Sequence, residues 1–475
     1  MATRAPRPPS SDPLHSAPPE AWEPLLRFAR VAGRPLESFL RIEAASGILL
    51  LLSASAALLW ANSRWAGGYT AFWHTTLGVQ LGDWVFQRSL EWVVNDGLMV
   101  IFFFVVGLEI RREIYCGELS EWRRAALPGA AAVGGMLVPA GLYLLLAGAP
   151  ATRSGWGVPM ATDIAFAVGI LTLLGKRVPA ALRVLLLALA VIDDLGAILV
   201  IAAFYSSGIQ LGGLLVAATS VGAILAMQRF GVRSKLAYVV PATVAWAGIY
   251  AAGIHPTIAG VIVGLLTPVR AWLGPDGFVA GVRHEIKQLE TSPPGSLSIH
   301  ELAGSLNHVN MARREALSPA EALIESLHPW VAFVIMPVFA LANAGVTLPS
   351  GSFDADSWRV VLGIGTGLLL GKPLGILLAC GLTLRSGLAR LPAGVSHRHL
   401  VILGTVAGVG FTMSLFIGAL AFPEGALLGP AKVGILSASL LAVLFSLTLG
   451  RLLLSPTTLE GSALTADEAE RSTEK

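Results

Sequence analysis

The sequence predicts an all-α polytopic membrane protein with twelve transmembrane helices, two of them broken, and one small external β-hairpin. Three observations carry this. Hydrophobic residues make up 54% of the 475 residues and charged residues only 13%, about half the share of a soluble domain. Apolar stretches recur at close to the roughly 20 residues that cross a bilayer. Lys and Arg fall overwhelmingly on one side of the connections between those stretches. With a mean hydropathy of +0.70 there is too little polar surface to coat several soluble domains, which excludes an ordinary cytosolic enzyme. The formal net charge of +3 gives no sign of a nucleic-acid partner. The two cysteines, Cys116 and Cys380, lie far apart in sequence and indicate neither a disulfide framework nor a zinc site.

Along the chain, residues 1–41 read as a cytoplasmic tail followed by a surface helix. The first 19 residues hold six prolines and no apolar run, so they are expected to be disordered and not to act as an export signal. Glu20 to Arg41 mixes Leu25, Leu26, Phe28, Leu36, Phe39 and Leu40 with Arg27, Arg30 and Arg34, the composition of an amphipathic helix on lipid headgroups. A transporter domain over 42–454 then contains spans expected near 44–61, 90–110, 125–148, 158–174, 179–205, 211–228, 236–252, 254–269, 329–346, 360–384, 400–422 and 429–453. The weakest division is the seventh from the eighth, around Gly253 to His255.

Twelve spans put both termini on one side, and the basic residues test the count. Of the 33 Lys and Arg, 27 fall on that side and five (Arg64, Arg88, Arg153, Arg359 and Lys432) on the other, with Lys372 left inside the tenth span. The excess predicts cytoplasmic termini. On the outer side, residues 76–87 place Gly82-Asp83 between two short β-prone runs, a hairpin signal. The cytoplasmic connection 270–328 is polar and holds His284, His300 and His308 without a His-Glu-x-x-His pattern, and is expected to be a flexible loop. Residues 455–475 read as a disordered, solvated cytoplasmic tail.

Ionisable residues inside spans cost on the order of 2.5 to 3.5 kcal/mol each, so each needs a reason. Besides Lys372 these are Asp96 in the second span, Asp163 in the fourth, and the adjacent Asp193 and Asp194 in the fifth. Helical neighbours point about 100° apart, so one of the pair can face a cavity while the other reaches a neighbouring helix. Asp163, Asp193 and Asp194 against Lys372 leave two negative charges uncompensated if all ionise. Protons or a hard cation must fill that deficit, and their competition for the same oxygens is the physical basis of an exchanger. Backbone-breaking residues point to the same place. Gly155, Gly157 and Pro159 precede Asp163, and Gly404, Gly408 and Gly410 interrupt the eleventh span. The two segments are seven spans apart, as expected if helices 3–5 and 10–12 are inverted repeats around a midplane site.

Four segments carry a resemblance. Thr162-Asp163-Ile164-Ala165-Phe166-Ala167, Ile192-Asp193-Asp194-Leu195-Gly196-Ala197-Ile198, Gly371-Lys372-Pro373-Leu374-Gly375 and Gly410-Phe411-Thr412-Met413-Ser414 resemble the signature segments of NhaA-type bacterial sodium/proton antiporters, in order over residues 40–453. The resemblance implies a non-enzymatic secondary transporter of the cell inner membrane, needing no cofactor, that exports Na+ or Li+ against a larger number of entering H+ and is activated at alkaline pH. It assigns Asp194 as principal Na+ and proton carboxylate and Asp193 as its neighbour, paired with Lys372. Thr162 becomes a hydroxyl near the cation and Asp163 the compensating charge of the broken helices. Asp96 matches an acid on the cation pathway. Glu109, Arg112 and Glu113, with Glu325 and His328, match a cytoplasmic pH-response cluster, and His255 a further pH-linked position. The hairpin 76–87 corresponds to a homodimerisation element. Ser326 and the long 270–328 connection depart from the family pattern.

Read without the resemblance, Glu109 to Glu113 is equally a helix end with local ion pairs, Asp96 a solvated helix-end residue, and His255 before Pro256 a packed or capping histidine. Three other classes of protein compete with this reading. A sodium-coupled symporter of an organic anion needs anion-recognising groups, which the spans lack. A channel needs no counter-ion. An intramembrane aspartyl protease needs Gly-x-Gly-Asp, whereas Gly408-Val409-Gly410 is followed by Phe411.

Overall fold

A computed structural model describes residues 43–82, 84–206, 208–291, 298–347, 353–423 and 425–455. The tail and surface helix expected over 1–41, and all but Ser455 of the C-terminal tail expected over 455–475, lie outside the described residues. Helices dominate, because long apolar runs satisfy their backbone polar groups internally in the α-helical ladder.

In chain order, α1 (Glu43–Ala61) and α2 (Ala66–Trp73) form a pair bent by 116°. Strands β1 (Thr76–Leu81) and β2 (Trp84–Ser89) follow, antiparallel from Thr76 opposite Ser89 to Leu81 opposite Trp84. Gly82, with φ +61°, supplies the left-handed turn residue that a two-residue hairpin loop requires. The hairpin expectation holds, with β2 ending two residues later than read from sequence.

Then come α3 (Leu90–Cys116), α4 (Trp122–Ala147), a 3-10 segment (Arg153–Met160), α5 (Ile164–Leu174), α6 (Ala180–Phe204), α7 (Leu211–Arg229), α8 (Val239–Ala251) and α9 (Thr257–Leu266). After α10 (Gly274–Thr291) and α11 (Ile299–Ala316) the chain continues as α12 (Pro319–Asn343), α13 (Ala355–Arg385), α14 (His397–Ala407), α15 (Phe411–Ala421) and α16 (Leu428–Leu453).

Among the described residues eight helices are long and apolar enough to cross a membrane, and up to ten if α1–α2 and α14–α15 each form one span. The seventh and eighth expected spans fall on α8 and α9, of 13 and 10 residues. At 1.5 Å per residue they extend only about 20 and 15 Å. Gly253, at φ +77°, ends one, and Pro256 stands at the N-cap of the other.

The flexible-loop expectation over 270–328 does not hold for its described residues: α10 and α11 pack against each other, and α12 begins at Pro319 inside a capping box formed by Ser318 and Glu321. At the hairpin base Leu273 N donates to Glu315 O at 3.0 Å, and the Glu315 carboxylate pairs with Arg233 beyond α7. Between the helices the His308 Nδ1 to Glu285 Oε1 distance is 3.0 Å. Polar composition hid these helices because what they bury is mostly one another's inner faces.

The bundle core places α4 directly on α13. At their crossing Gly134 and Gly375 face each other so closely that a Cβ on either would strike the other's carbonyl oxygen. This backbone contact is the close approach that small residues permit between membrane helices. It sets Lys372, three residues before Gly375, against the centre of the bundle.

Candidate cation and proton site

Two chain breaks meet in the middle of the molecule. Before α5 the helix gives way to extended backbone over residues 161–163, and α14 and α15 are separated by Gly408–Gly410 with a 45° bend. Asp163 N donates to Val409 O at 2.8 Å, holding one break against the other. Each break exposes helix ends whose N–H or C=O groups lack a partner within the helix.

Side chains satisfy those ends according to sign. The Asp163 carboxylate caps two helices at once: Oδ1 accepts from Phe166 N of α5 at 3.2 Å, and Oδ2 accepts from Thr412 N of α15 at 3.1 Å and from the Thr412 hydroxyl. At the carbonyl ends, the Thr162 hydroxyl donates to Ala407 O at 3.0 Å, closing α14, and Lys372 Nζ donates to Met160 O, closing the 3-10 segment. Ser414 Oγ adds a 2.9 Å bond to Val158 O, and Ser439 Oγ accepts from Phe411 N at 3.1 Å. A helix N-terminus carries about half a positive charge, so two of them together roughly match one carboxylate.

Helix α6 supplies the remaining acids. Asp193 turns toward α13, where Lys372 Nζ lies 2.7 Å from its Oδ2. Thr162 lies alongside, and among the described residues the second oxygen, Oδ1, is without a hydrogen-bond partner. Asp194 points elsewhere on the same helix. Both of its oxygens are buried without a hydrogen-bond partner among the described residues. The side chains of Thr162, Asp163, Asp193, Asp194 and Lys372 belong to residues at most 1% exposed.

The charge balance therefore differs from the sequence-based one. Lys372 cancels Asp193, and the two helix ends cancel Asp163, so one negative charge is uncompensated and not two. It belongs to Asp194, which also feels Asp193, Glu109, Lys372 and Asp163 electrostatically. An ionised carboxylate with no donor and no counter-charge is not sustainable at such burial. It must take a proton, or share its oxygens with a hard cation that prefers oxygen ligands. Asp193 Oδ1 is a third oxygen on the same turn without a partner among the described residues.

The other candidates form two further groups. Asp96 lies on a π-helical turn of α3, Val93–Leu98, and His255 stands just before α9; His255 Nε2 is 3.4 Å from Asp96 Oδ1, and His255 Nδ1 is 2.7 Å from Thr257 Oγ1. Their side chains are only 16% and 11% exposed, which corrects the solvated helix-end reading of Asp96 and fits the packed-histidine reading of His255. The π turn, a form common at functional sites, is locked by reciprocal amide bonds between Asn95 and Asn343.

Glu109, Arg112 and Glu113 lie on the last turns of α3, which packs on the start of α12, where Glu325 and His328 are exposed. Arg112 acts electrostatically on His328 across this contact. Glu113 Oε1 accepts from Glu118 N at 2.7 Å and so closes the end of the helix. Local ion pairs expected within Glu109–Glu113 are absent among the described residues; Arg111 instead stacks its guanidinium on Tyr115 at 4.1 Å.

Sequence reading passed over Thr412, Ser414, Met160, Asn95 and Asn343. Thr412 and Ser414 lie within the segment Gly410-Phe411-Thr412-Met413-Ser414, whose residue types name no partner. The Met160 carbonyl has no side-chain signal. The asparagine pair joins residues 248 apart, which only the packing reveals.

Comparison with known proteins adds an independent line. The family model described as Na+/H+ antiporter 1 matches residues 37–449. A Myxococcus xanthus protein named Na(+)/H(+) antiporter NhaA 2 is 68% identical over 456 residues, covering 96% of this chain and 97% of that protein. Proteins of the same name from Sorangium cellulosum and Pseudomonas putida (strain KT2440) are 55% and 49% identical, over 97% and 89% of this chain and 99% and 94% of their own lengths.

Proposed function

The chain belongs to the Na+/H+ antiporter 1 family, a family of membrane transporters, and from that premise we propose that it exports Na+ or Li+ electrogenically against entering H+ by alternating access. The observation that carries the site assignment is Asp194, buried, with neither oxygen partnered and no counter-charge of its own among the described residues.

In the proposed cycle the inward-facing site exchanges the Asp194 proton for Na+, with Asp193 Oδ1, the Thr162 oxygen and water completing an oxygen shell. The bundle rocks about the two crossed breaks. Protons from the outer side then displace the cation, and the protonated site returns. Opening the Lys372–Asp193 ion pair releases a second proton-carrying group, so more than one proton enters per cation and net charge moves. Asp163 stays ionised between its two helix ends and keeps the broken backbone assembled while the load changes.

The same reading places the protein in the inner membrane with cytoplasmic termini and twelve spans, α8 and α9 serving as two of them and helices 3–5 and 10–12 as inverted repeats. Asp96 with His255 forms the outer cation pathway. Glu109, within electrostatic reach of Asp194, couples the site to Arg112, Glu113, Glu325 and His328 as the pH-responsive inner mouth. The hairpin β1–β2 exposes Leu77, Val79 and Val85 and leaves both outer strand edges open, which suits pairing with a second copy.

Replacement of Asp194 by Asn tests the site. In everted vesicles with a respiration-generated pH gradient, the variant should give no Na+-dependent dequenching of a pH-sensitive dye. Because no hydrogen bond is lost, its unfolding midpoint should equal or exceed that of the parent. Normal dequenching sinks the assignment.

A further inference from the structure

At the end of the bundle where α4 and α6 begin, a groove of about 720 Å³ opens between these two helices and the segment Gly387 to Pro392 that follows α13. Its rim carries Arg123, Arg124 and Arg390, against one acid, Glu118. Arg124 shares its charge with Glu121 at 3.2 Å. Among the described residues Arg123 and Arg390 have no ion pair. Below the rim the lining is apolar, with Leu185 and Ala188 on α6 and Leu127 on α4. From Ala181 to Ala188 the groove follows α6 for about 10 Å, from the helix's first turn into the depth of the bundle.

The exposed surroundings have the same two-zone character. Val184 and Leu187 face outward along α6, Leu388 is 64% exposed beside Arg390, and Trp122 is 83% exposed at the start of α4. Tryptophan at a helix end is an interface residue, apolar on one side and polar on the other. The charges sit outside and the apolar walls inside, which is the order of an amphiphile's headgroup and chain and the reverse of a hydrated ion path.

We propose that this groove is a binding site for an anionic phospholipid of the surrounding bilayer, its phosphate held between Arg123 and Arg390 and its acyl chain laid along α6. Charge complementarity selects the occupant: a zwitterionic lipid would leave the arginine excess unbalanced, whereas an anionic headgroup neutralises it. Guanidinium groups suit the phosphate because their planar donors meet its oxygens in pairs. The site is separate from the midplane carboxylates and uses none of their side chains.

The test uses the full-length protein, delipidated in detergent and titrated with phosphatidylglycerol, phosphatidylcholine or inorganic phosphate while bound lipid is counted by native mass spectrometry. Phosphatidylglycerol should bind at a saturable site in preference to phosphatidylcholine. The R123Q/R390Q variant should weaken that binding roughly thirtyfold, the loss expected when two cations near one anionic headgroup are removed. The R123K/R390K variant should keep most of it, and R270Q/R313Q, which removes two arginines elsewhere, should leave it unchanged. Equal affinity for the two lipids, indifference to R123Q/R390Q, an equal loss in R270Q/R313Q, or complete displacement by inorganic phosphate would each overturn the proposal. Lipid counts are read on folded protein without any transport assay, so loss of the antiport reading leaves this result standing.

Discussion

Lys372 and Asp193 form a wholly buried ion pair, and a double-mutant cycle across it has a calculable outcome. Replacing Lys372 with Met leaves Asp193 with no counter-charge at a residue 1% exposed, a situation worth about 3 to 5 kcal/mol of destabilisation. The Met160 carbonyl also loses its donor, which costs about 1 to 3 kcal/mol if it stays buried and unpaired. Replacing Asp193 with Asn leaves a buried ammonium and should cost a similar 3 to 5 kcal/mol. In the combined variant neither charge remains, and only the carbonyl term of about 1 to 3 kcal/mol survives. Detergent-solubilised proteins unfolded in denaturant and followed by tryptophan fluorescence should therefore rank parent, then double variant, then either single variant. The reasoning fails if the double variant falls by the sum of the single losses, because the charges would then not be each other's compensation.

Other predictions concern the breaks, the helix crossing and the α10–α11 hairpin. Asp163→Asn removes the charge shared by two helix ends and turns a donor toward one of them. A loss of about 2 to 4 kcal/mol is expected, with α5 and α15 both exchanging amide hydrogens faster; faster exchange in α5 alone would contradict the shared cap. Gly375→Ala forces α4 and α13 apart and should cost about 1 to 3 kcal/mol, while Gly381→Ala on the same helix, where a Cβ meets nothing within 4 Å, should be neutral; equal effects would refute the close approach. In the α10–α11 hairpin the Ser305 hydroxyl, and then His308, hold the Glu285 carboxyl below its ordinary 4.5. A depressed carboxyl adds stability that is present above 4.5 and lost as the pH falls through its lower folded-state value. Amide exchange in the hairpin, corrected for intrinsic rate, should accelerate on acidification through that range and do so less in Glu285→Gln; a hairpin equally protected at both ends of the range would rule this out.

Much of the architecture was legible because bilayer physics is severe. An uninterrupted apolar run admits few solutions, so helix α6 was found within a residue at either end, and the Gly82-Asp83 turn announced its hairpin through a residue suited to positive φ. Where burial is supplied by a partner helix, composition fails: the inner faces of α10 and α11 are polar enough to read as loop until Glu285 meets His308. Short α8 and α9 likewise look like ordinary spans from hydropathy, which averages across the bend at Gly253.

By itself the sequence determined that the chain lives in a membrane, that four acids and one lysine lie where charge is expensive, and that glycine and proline weaken two helices. The strength of the penalty makes those facts readable without coordinates, since any charge in such a run demands compensation. Residue patterns alone leave open which charge answers which, the Asp193–Lys372 pairing coming only with the family resemblance, and the tertiary structure supplies the contacts. Pairing depends on angstrom-scale approach between residues as distant as Asp163 and Thr412 or Asp193 and Lys372, and on carbonyls and amides that every residue possesses alike. Folding brings two broken helix ends to one carboxylate, spends the lysine on a second, and leaves Asp194 alone.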